Sequence, residues 1–461
     1  MKDKISLSKE YKLNIWIEEN NIPYAGKLTL TPEKISIYIC GEGSDSREFP
    51  DIGHCRNLEK LVCYERDHTF TLLNLKLITG GWRTIQYSPT SIAFHEVEFE
   101  AECVFIGDSG CVNQEKYFLF NIKSESLNKW LGITNKPSEI QSKLGVSGSL
   151  LNGDIDTSEF RTSVKNFGVF SCDYDINIFY DITKFQSGTY YPPSFTWRLE
   201  KPQDEKGLLV ELKKTYQIFS FLVGGDLDIS EINLIKRNTR KSIVFYYPTK
   251  NKNSEKITIL FPLGRNIQQG YSYLPELPLN LFESFYNHEK YSFIEKYNHY
   301  VRLQNAEERF LGFFRLLESM CYVEKEFLNG KLLQDTISKY KAEIHNIFND
   351  KKNVNSFIKR IIHSNKTKYN TEKCLRGFLC RIPTEIKSNW SILESELSNI
   401  CKLRNDITHA NELIVELGKL RKYEKFIEVL FLLAFFESVD VPFDTTAQFI
   451  KKLNGYHFIT H

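Results

Sequence analysis

The period at which apolar residues recur changes once along these 461 residues, and that change constrains the fold more than any single motif. In the first part the recurrence is every second residue. Leu28 and Leu30 alternate with polar neighbours, Pro32-Glu33-Lys34 supplies a turn, and Ile35, Ile37 and Ile39 resume the alternation, which is the pattern of a β-hairpin. Val97, Phe99, Ala101, Cys103 and Phe105 interleave with Glu98, Glu100 and Glu102, predicting one strand with a buried face and an acidic, solvated face. Further strands are expected at 69–77, 116–122, 169–175, 194–199, 229–235, 242–247 and 256–261, while 208–222 mixes strand and helix signals and stops at Gly224-Gly225. Pro262, Gly264, Gly270, Pro275 and Pro278 punctuate the next stretch, and helical periodicity takes over after it. The expected fold class is therefore α+β multidomain: a β-rich region over 1–278, with a composition change near 135–156 as the candidate subdivision, followed by an all-α bundle over 279–461.

Composition excludes several functional classes. Hydrophobic residues at 41% and charged residues at 26% are ordinary for a globular protein. A net charge of +2 is too small to signal nucleic-acid binding by itself, so any such affinity must come from local patches. No stretch approaches the twenty apolar residues of a membrane span, and the polar start Met1-Lys-Asp-Lys-Ile lacks the apolar core of a signal peptide, so a cytoplasmic protein without a membrane partner is expected. Ten cysteines without a C-x2-C pair read as reduced thiols, with neither structural zinc nor a disulfide framework. Gly41/Gly43 and Gly107/Gly110 lack the full fingerprint of a phosphate loop and read as turns, so no cofactor is expected.

The helical region carries the one arrangement suited to catalysis. Trp390, Leu393, Leu397, Ile400 and Cys401 recur at helical spacing from about Ser391 onward. Arg404 continues that apolar face, and Arg404-Asn405-Asp406-Ile407-Thr408-His409 forms an R-x4-H element. A guanidinium on an apolar face needs a partner or a purpose. Neutral imidazole can draw the proton from an RNA 2′-OH while a guanidinium binds the phosphate oxygens, without a metal. In a regular helix, positions five apart point about 140° from one another, so both groups face one ligand only if the helix ends or distorts between them, or if a second subunit completes the site. The plainer alternative is an Arg404 that snorkels from a helix end and a His409 that caps it.

The string Lys402-Leu-Arg-Asn-Asp-Ile-Thr-His-Ala resembles the motif of the HEPN superfamily, in which Arg is often followed by Asn and the motif closes a helix of a small bundle. Flanking helices are expected around Phe310, Phe314, Leu317 and Cys321 and, as the closing helix, at 413–439. A long β-rich region followed by such a module resembles the ApeA group of prokaryotic anti-phage proteins. The resemblance implies a metal-independent endoribonuclease acting in abortive infection, leaving 2′,3′-cyclic phosphate ends. It implies two motifs meeting across a homodimer or a higher even oligomer, and an N-terminal region that senses a phage-derived trigger. His409 would be the general acid or base, Arg404 would bind the scissile phosphate and Asn405 would assist positioning.

Glu318, at the edge of the stripe containing Phe310 and Phe314, is the carboxylate to pair with Arg404, the alternative being a rim residue bonded to Lys325 or Tyr322, and Asp406 is either solvated or holds one tautomer of His409. The window 351–381 holds Lys351, Lys352, Lys359, Arg360, Lys366, Lys368, Lys373, Arg376 and Arg381 against Glu372 alone, with Phe357, Tyr369 and Phe378 interleaved. Lys359, Arg360, Lys366 and Lys368 are thus candidate RNA contacts, tRNA being one candidate partner, with a solvated helix face as the alternative. The rival for the whole chain is a non-catalytic interaction or RNA-binding protein whose helical module only dimerises.

Overall fold

The computed structural model describes residues 5–19, 22–43, 56–87, 90–108, 116–147, 155–236, 242–248, 259–264, 268–269, 272–323, 328–365, 371–392, 394–409 and 416–461. Of the residues named above, Met1 to Lys4, Gly110, Gly270, Lys325, Lys366, Lys368, Tyr369, Leu393 and Ala410 lie outside the described residues, as do Cys55 and Cys111 of the ten cysteines. The chain divides into two compact units, Met1–Tyr291 and Ser292–His461.

In the first unit the period-two pattern becomes antiparallel sheet. The strands are β1 (Tyr11–Glu19), β2 (Ile22–Leu30), β3 (Ile35–Gly43), β4 (Asn57–Glu65), β5 (His68–Tyr87), β6 (Thr90–Ala101), β7 (Cys103–Asp108), β8 (Tyr117–Ser124), β9 (Ser158–Val164), β10 (Gly168–Tyr174), β11 (Asn177–Asp181), β12 (Gln186–Tyr190), β13 (Pro193–Gln203), β14 (Ile229–Lys236) and β15 (Ser242–Tyr246). The main sheet runs β4-β1-β2-β3-β6-β5-β7-β15-β14-β8-β13-β10-β9, and β4 also pairs with β5, closing the first six strands into a barrel. Strands β11 and β12 form a separate hairpin.

Local residue chemistry explains the register. The expected hairpin is β2–β3, paired from Leu30↔Ile35 outward, and Thr31 Oγ1 clasps the turn by accepting from Lys34 N and donating to Lys34 O. Leu28, Leu30, Ile37 and Phe99 are buried in the barrel. The strand expected through Phe105 is two strands. The chain bends at Glu102, whose carboxylate accepts from Asn74 Nδ2 (2.6 Å) and pairs with Lys213, so this member of the acidic row is anchored rather than solvated. After the bend the chain enters β7 and pairs with β5 and β15, whereas β6 pairs with β3 and β5.

Helices α1 (Glu125–Leu131), α2 (Lys136–Ser147), α3 (Glu205–Val223) and α4 (Leu281–Tyr286) belong to this unit. The ambiguous segment at 208–222 is the helix α3. Asp204 caps its first turn, and Gly224 ends it at φ 80, a left-handed conformation that glycine adopts without a Cβ clash. Aromatic rings fill the space between this helix and the sheet: Phe170 stacks on Trp197 at 4.7 Å between centroids, and Phe219 meets Trp130 edge-on at 5.2 Å. Phe282 of α4 joins the cluster 4.9 Å from Phe170, so the first helix after Pro278 packs within the β-rich unit. Of the strand expected at 256–261, only 259–261 are described, and there Leu260 and Phe261 donate their N–H groups to Val223 O and Leu222 O.

The second unit is helical: the larger part of α5 (His288–Val301), then α6 (Ala306–Met320), α7 (Gly330–Phe348), α8 (Lys351–Asn365), α9 (Thr371–Arg381), α10 (Thr384–Lys387), α11 (Leu397–Thr408), α12 (Leu417–Glu437) and α13 (Phe443–Ile450). Helix α12 is buried all round from Val429 to Phe436 and forms the axis of the core. It is followed by α13 rather than closing the chain. Tyr297 of α5 stacks against Phe431 of α12 (5.7 Å), and Tyr300 lies so close to α6 that a Cβ on Gly312 would come within 2.4 Å of its ring. By contrast α7 buries no residue and forms a hairpin with α8, whose Val354 and Ile358 are buried.

Candidate active site

The R-x4-H element sits at the end of α11. That helix begins at Leu397, later than the expected start near Ser391, because the preceding segment is tied to the distant C-terminal residues: Trp390 bridges Thr460, and Ser391 N donates to Ile459 O. Leu397, Ile400 and Leu403 are buried, which fixes the helix rotation and sets Arg404 at the border of the apolar face.

Arg404 is oriented by three groups. Its Nη2 donates to Glu318 Oε2 of α6 (3.2 Å), its Nη1 donates to Asn405 Oδ1 (3.0 Å), and its Cζ lies 5.6 Å from the ring centroid of Phe314. The expected Arg404–Glu318 pairing is therefore present, with the arginine side chain 31% exposed and the glutamate 12%. A guanidinium carries five N–H donors, and these contacts engage two, leaving others toward solvent for a ligand. Glu318 is itself held: Thr371 Oγ1, at the first residue of α9, donates to Glu318 Oε1 at 2.7 Å.

His409 is the C-cap residue of α11, with φ −97 and ψ 8, and it is exposed. Its N–H donates to Asn405 O, and Thr408 Oγ1 donates to Arg404 O (2.7 Å), so the helix stays regular from Arg404 to its last residue, Thr408. The helix thus ends at the histidine rather than distorting before it, and in a regular helix positions five apart point about 140° from one another. Asp406 is half-buried on the same helix.

Cys401, one turn before Arg404, supplies no nucleophile: burial, with Glu372 and Glu318 nearby, pushes its thiol up to about 11, so it stays protonated. The basic window is less uniform than its composition. Arg376 donates from Nε and Nη2 to Glu372 Oε1 (3.0 and 2.7 Å) and lies 3.5 Å from Glu394, and Arg381 pairs with Glu437 at 3.1 Å. The Arg376 guanidinium and the Ser398 hydroxyl hold the Glu372 carboxyl below its ordinary range. Lys351, Lys352, Lys359 and Arg360 are exposed on α8, and Phe357, three residues before Arg360, is 63% exposed, whereas Phe378 is buried. Lys359 and Arg360 make no ion pair among the described residues, and they stand on a different helix from Arg404.

Sequence reasoning missed Thr371, Phe314 as the ring under Arg404, and the Arg376–Glu372–Ser398 cluster. Phe314 was visible as an apolar stripe residue four before Glu318, and that spacing was the available signal.

A barrel that continues into an antiparallel sheet, followed in the chain by a helical bundle bearing an oriented half-exposed arginine, defines a two-unit α+β protein. The family model for ApeA N-terminal domain 1 matches residues 10–266, more than half of the chain of 461. The chain belongs to the ApeA family, and antiviral defence is the role that membership assigns. No curated protein and no solved structure matches it. Among the described residues no helix is long and apolar enough to cross a membrane.

Proposed function

We propose that the helical unit is a metal-independent endoribonuclease of HEPN type that acts in anti-phage defence. The observation that carries this reading is the state of Arg404: a carboxylate, an amide and an aromatic ring orient it, yet it keeps donors for an anion, five residues before an exposed histidine. Neutral His409 takes the proton from a ribose 2′-OH, the 2′-oxygen forms its bond to the adjacent phosphorus, and the 5′-oxygen leaves, protonated by an imidazolium. The products are a 2′,3′-cyclic phosphate and a 5′-hydroxyl. Arg404 offsets the charge that builds on the non-bridging oxygens, and Asn405, which accepts from Nη1, keeps the guanidinium facing them.

The five-residue spacing of Arg404 and His409 along a regular helix favours a site composed from two copies, in which one copy's imidazole serves the attacking side and the other's the leaving side. A homodimer, or a higher even oligomer, formed through the helical unit follows. Lys359 and Arg360 contribute affinity for the RNA backbone, and the β-rich unit responds to a phage-derived trigger.

Purified protein incubated with total RNA or tRNA in excess EDTA should leave cyclic phosphate ends. His409→Ala should lower the rate by about 10²–10⁴-fold while its melting temperature stays at the wild-type value. Cleavage that appears only on adding magnesium or zinc, or a fully active His409→Ala protein, would overturn the metal-independent mechanism assigned to His409, and protein that cuts no RNA would return the helical unit to a non-catalytic role.

A further inference from the structure

Resting on the ribonuclease reading, we infer that Thr371 is a positioning residue for Arg404, acting through Glu318. Three helices supply one line of contacts: Thr371 Oγ1 of α9 donates to Glu318 Oε1 of α6 (2.7 Å), and Glu318 Oε2 accepts from Arg404 Nη2 of α11 (3.2 Å). Each carboxylate oxygen thus has one of these partners, and the two together fix the plane of the carboxylate. A carboxylate free to rotate about its terminal torsion would present either oxygen at a range of angles, because such torsions are broad. Thr371 removes that freedom. As the first residue of an eleven-residue helix, it also sets the carboxylate beside the N-terminal end of α9.

The guanidinium's remaining freedom is restricted by Phe314 beneath it and Asn405 beside it. The plane of the Glu318 carboxylate therefore sets the plane of Arg404, and with it the direction of the donors left for phosphate. Because α9 is the anchor, movement of its first turn is transmitted to the phosphate-binding group without any contact between Thr371 and RNA.

The test compares wild type, Thr371→Val, Thr371→Ser, Arg404→Ala and the Thr371→Val/Arg404→Ala double variant, by RNA turnover and by thermal unfolding. Thr371→Val should lower kcat by about tenfold with KM changed by less than about twofold, as expected when a group that acts in the transition state is misaligned. Thr371→Ser, which keeps the hydroxyl, should restore kcat, and in Arg404→Ala protein the valine should cause no further loss. A Thr371→Val kcat equal to wild type, or a tenfold loss repeated in full on Arg404→Ala, would overturn the inference. Wild-type protein that cuts no RNA would instead sink the ribonuclease reading. The melting data then judge the line of contacts alone: non-additive shifts for Thr371→Val and Arg404→Ala support it, and strictly additive shifts overturn it.

Discussion

Two arginine–glutamate pairs in the helical unit differ in what they leave over. Arg309 of α6 meets Glu424 of α12 fork to fork, Nε to Oε1 at 2.7 Å and Nη2 to Oε2 at 3.0 Å, while its Nη1 donates to Leu303 O and Gln304 O. The Glu424 side chain is 8% exposed. Beside it, buried Glu428 accepts from Tyr297 OH (2.8 Å) and pairs with Lys425. Every nitrogen of Arg309 is committed to the protein. Arg404 makes one 3.2 Å contact to its glutamate and one to the neighbouring amide, and it stays half-exposed. The same chemical pair thus closes a helix interface in one place and holds a charge ready in the other; saturation of the donors separates them, not residue type.

That comparison breaks first at Arg309. Arg309→Ala leaves the Glu424 carboxylate buried without its cation and should cost about 3–5 kcal/mol in stability, read by denaturant unfolding. A loss of a few tenths would show that the interface does not depend on the fork. Arg404→Ala should do the reverse: a cost below about 1 kcal/mol, because the pair is partly solvated, with RNA cleavage falling about 10²–10³-fold. If both variants lose stability alike, Arg404 belongs with Arg309 as a structural residue. The smallest effect is expected at Lys359 and Arg360, which make no ion pair among the described residues. Reversing Lys359 and Arg360 to Glu should make the log–log salt dependence of RNA binding shallower by about two, without changing unfolding; an unchanged slope would make that face of α8 a solvated surface only.

Much of the architecture could be read from local pattern, since a hairpin such as Leu28–Ile39 is specified by its own alternation and turn. What escaped was set by partners far along the chain. The alternation through Val97–Phe105 gives no sign that Glu102 is claimed by Asn74 and Lys213, yet those contacts accompany the division of one strand into two. The helical spacing from Trp390 likewise conceals the pairing with Thr460 that delays α11. At the candidate site, Glu318 and Arg404 were legible because each sits at the edge of an apolar stripe, where a charge must find a partner. Thr371 was not, because a small hydroxyl residue at a helix start is ordinary in sequence and acquires meaning only when another helix's carboxylate arrives.

Strand β5 is shared property. Its residues at 68–73 pair on one edge with β4 and on the other with β7, and its later residues pair with β6, so barrel and open sheet are built on one twenty-residue length of backbone. Thr69, Phe70, Thr71, Leu72 and Leu73 are all buried, so neither face is spare. A slip of one position would exchange Phe70 and Leu72 with Thr69 and Thr71 on both sides of the strand at once. The barrel therefore has no register separate from that of the sheet, and a substitution in β5 bears on the pairing of both.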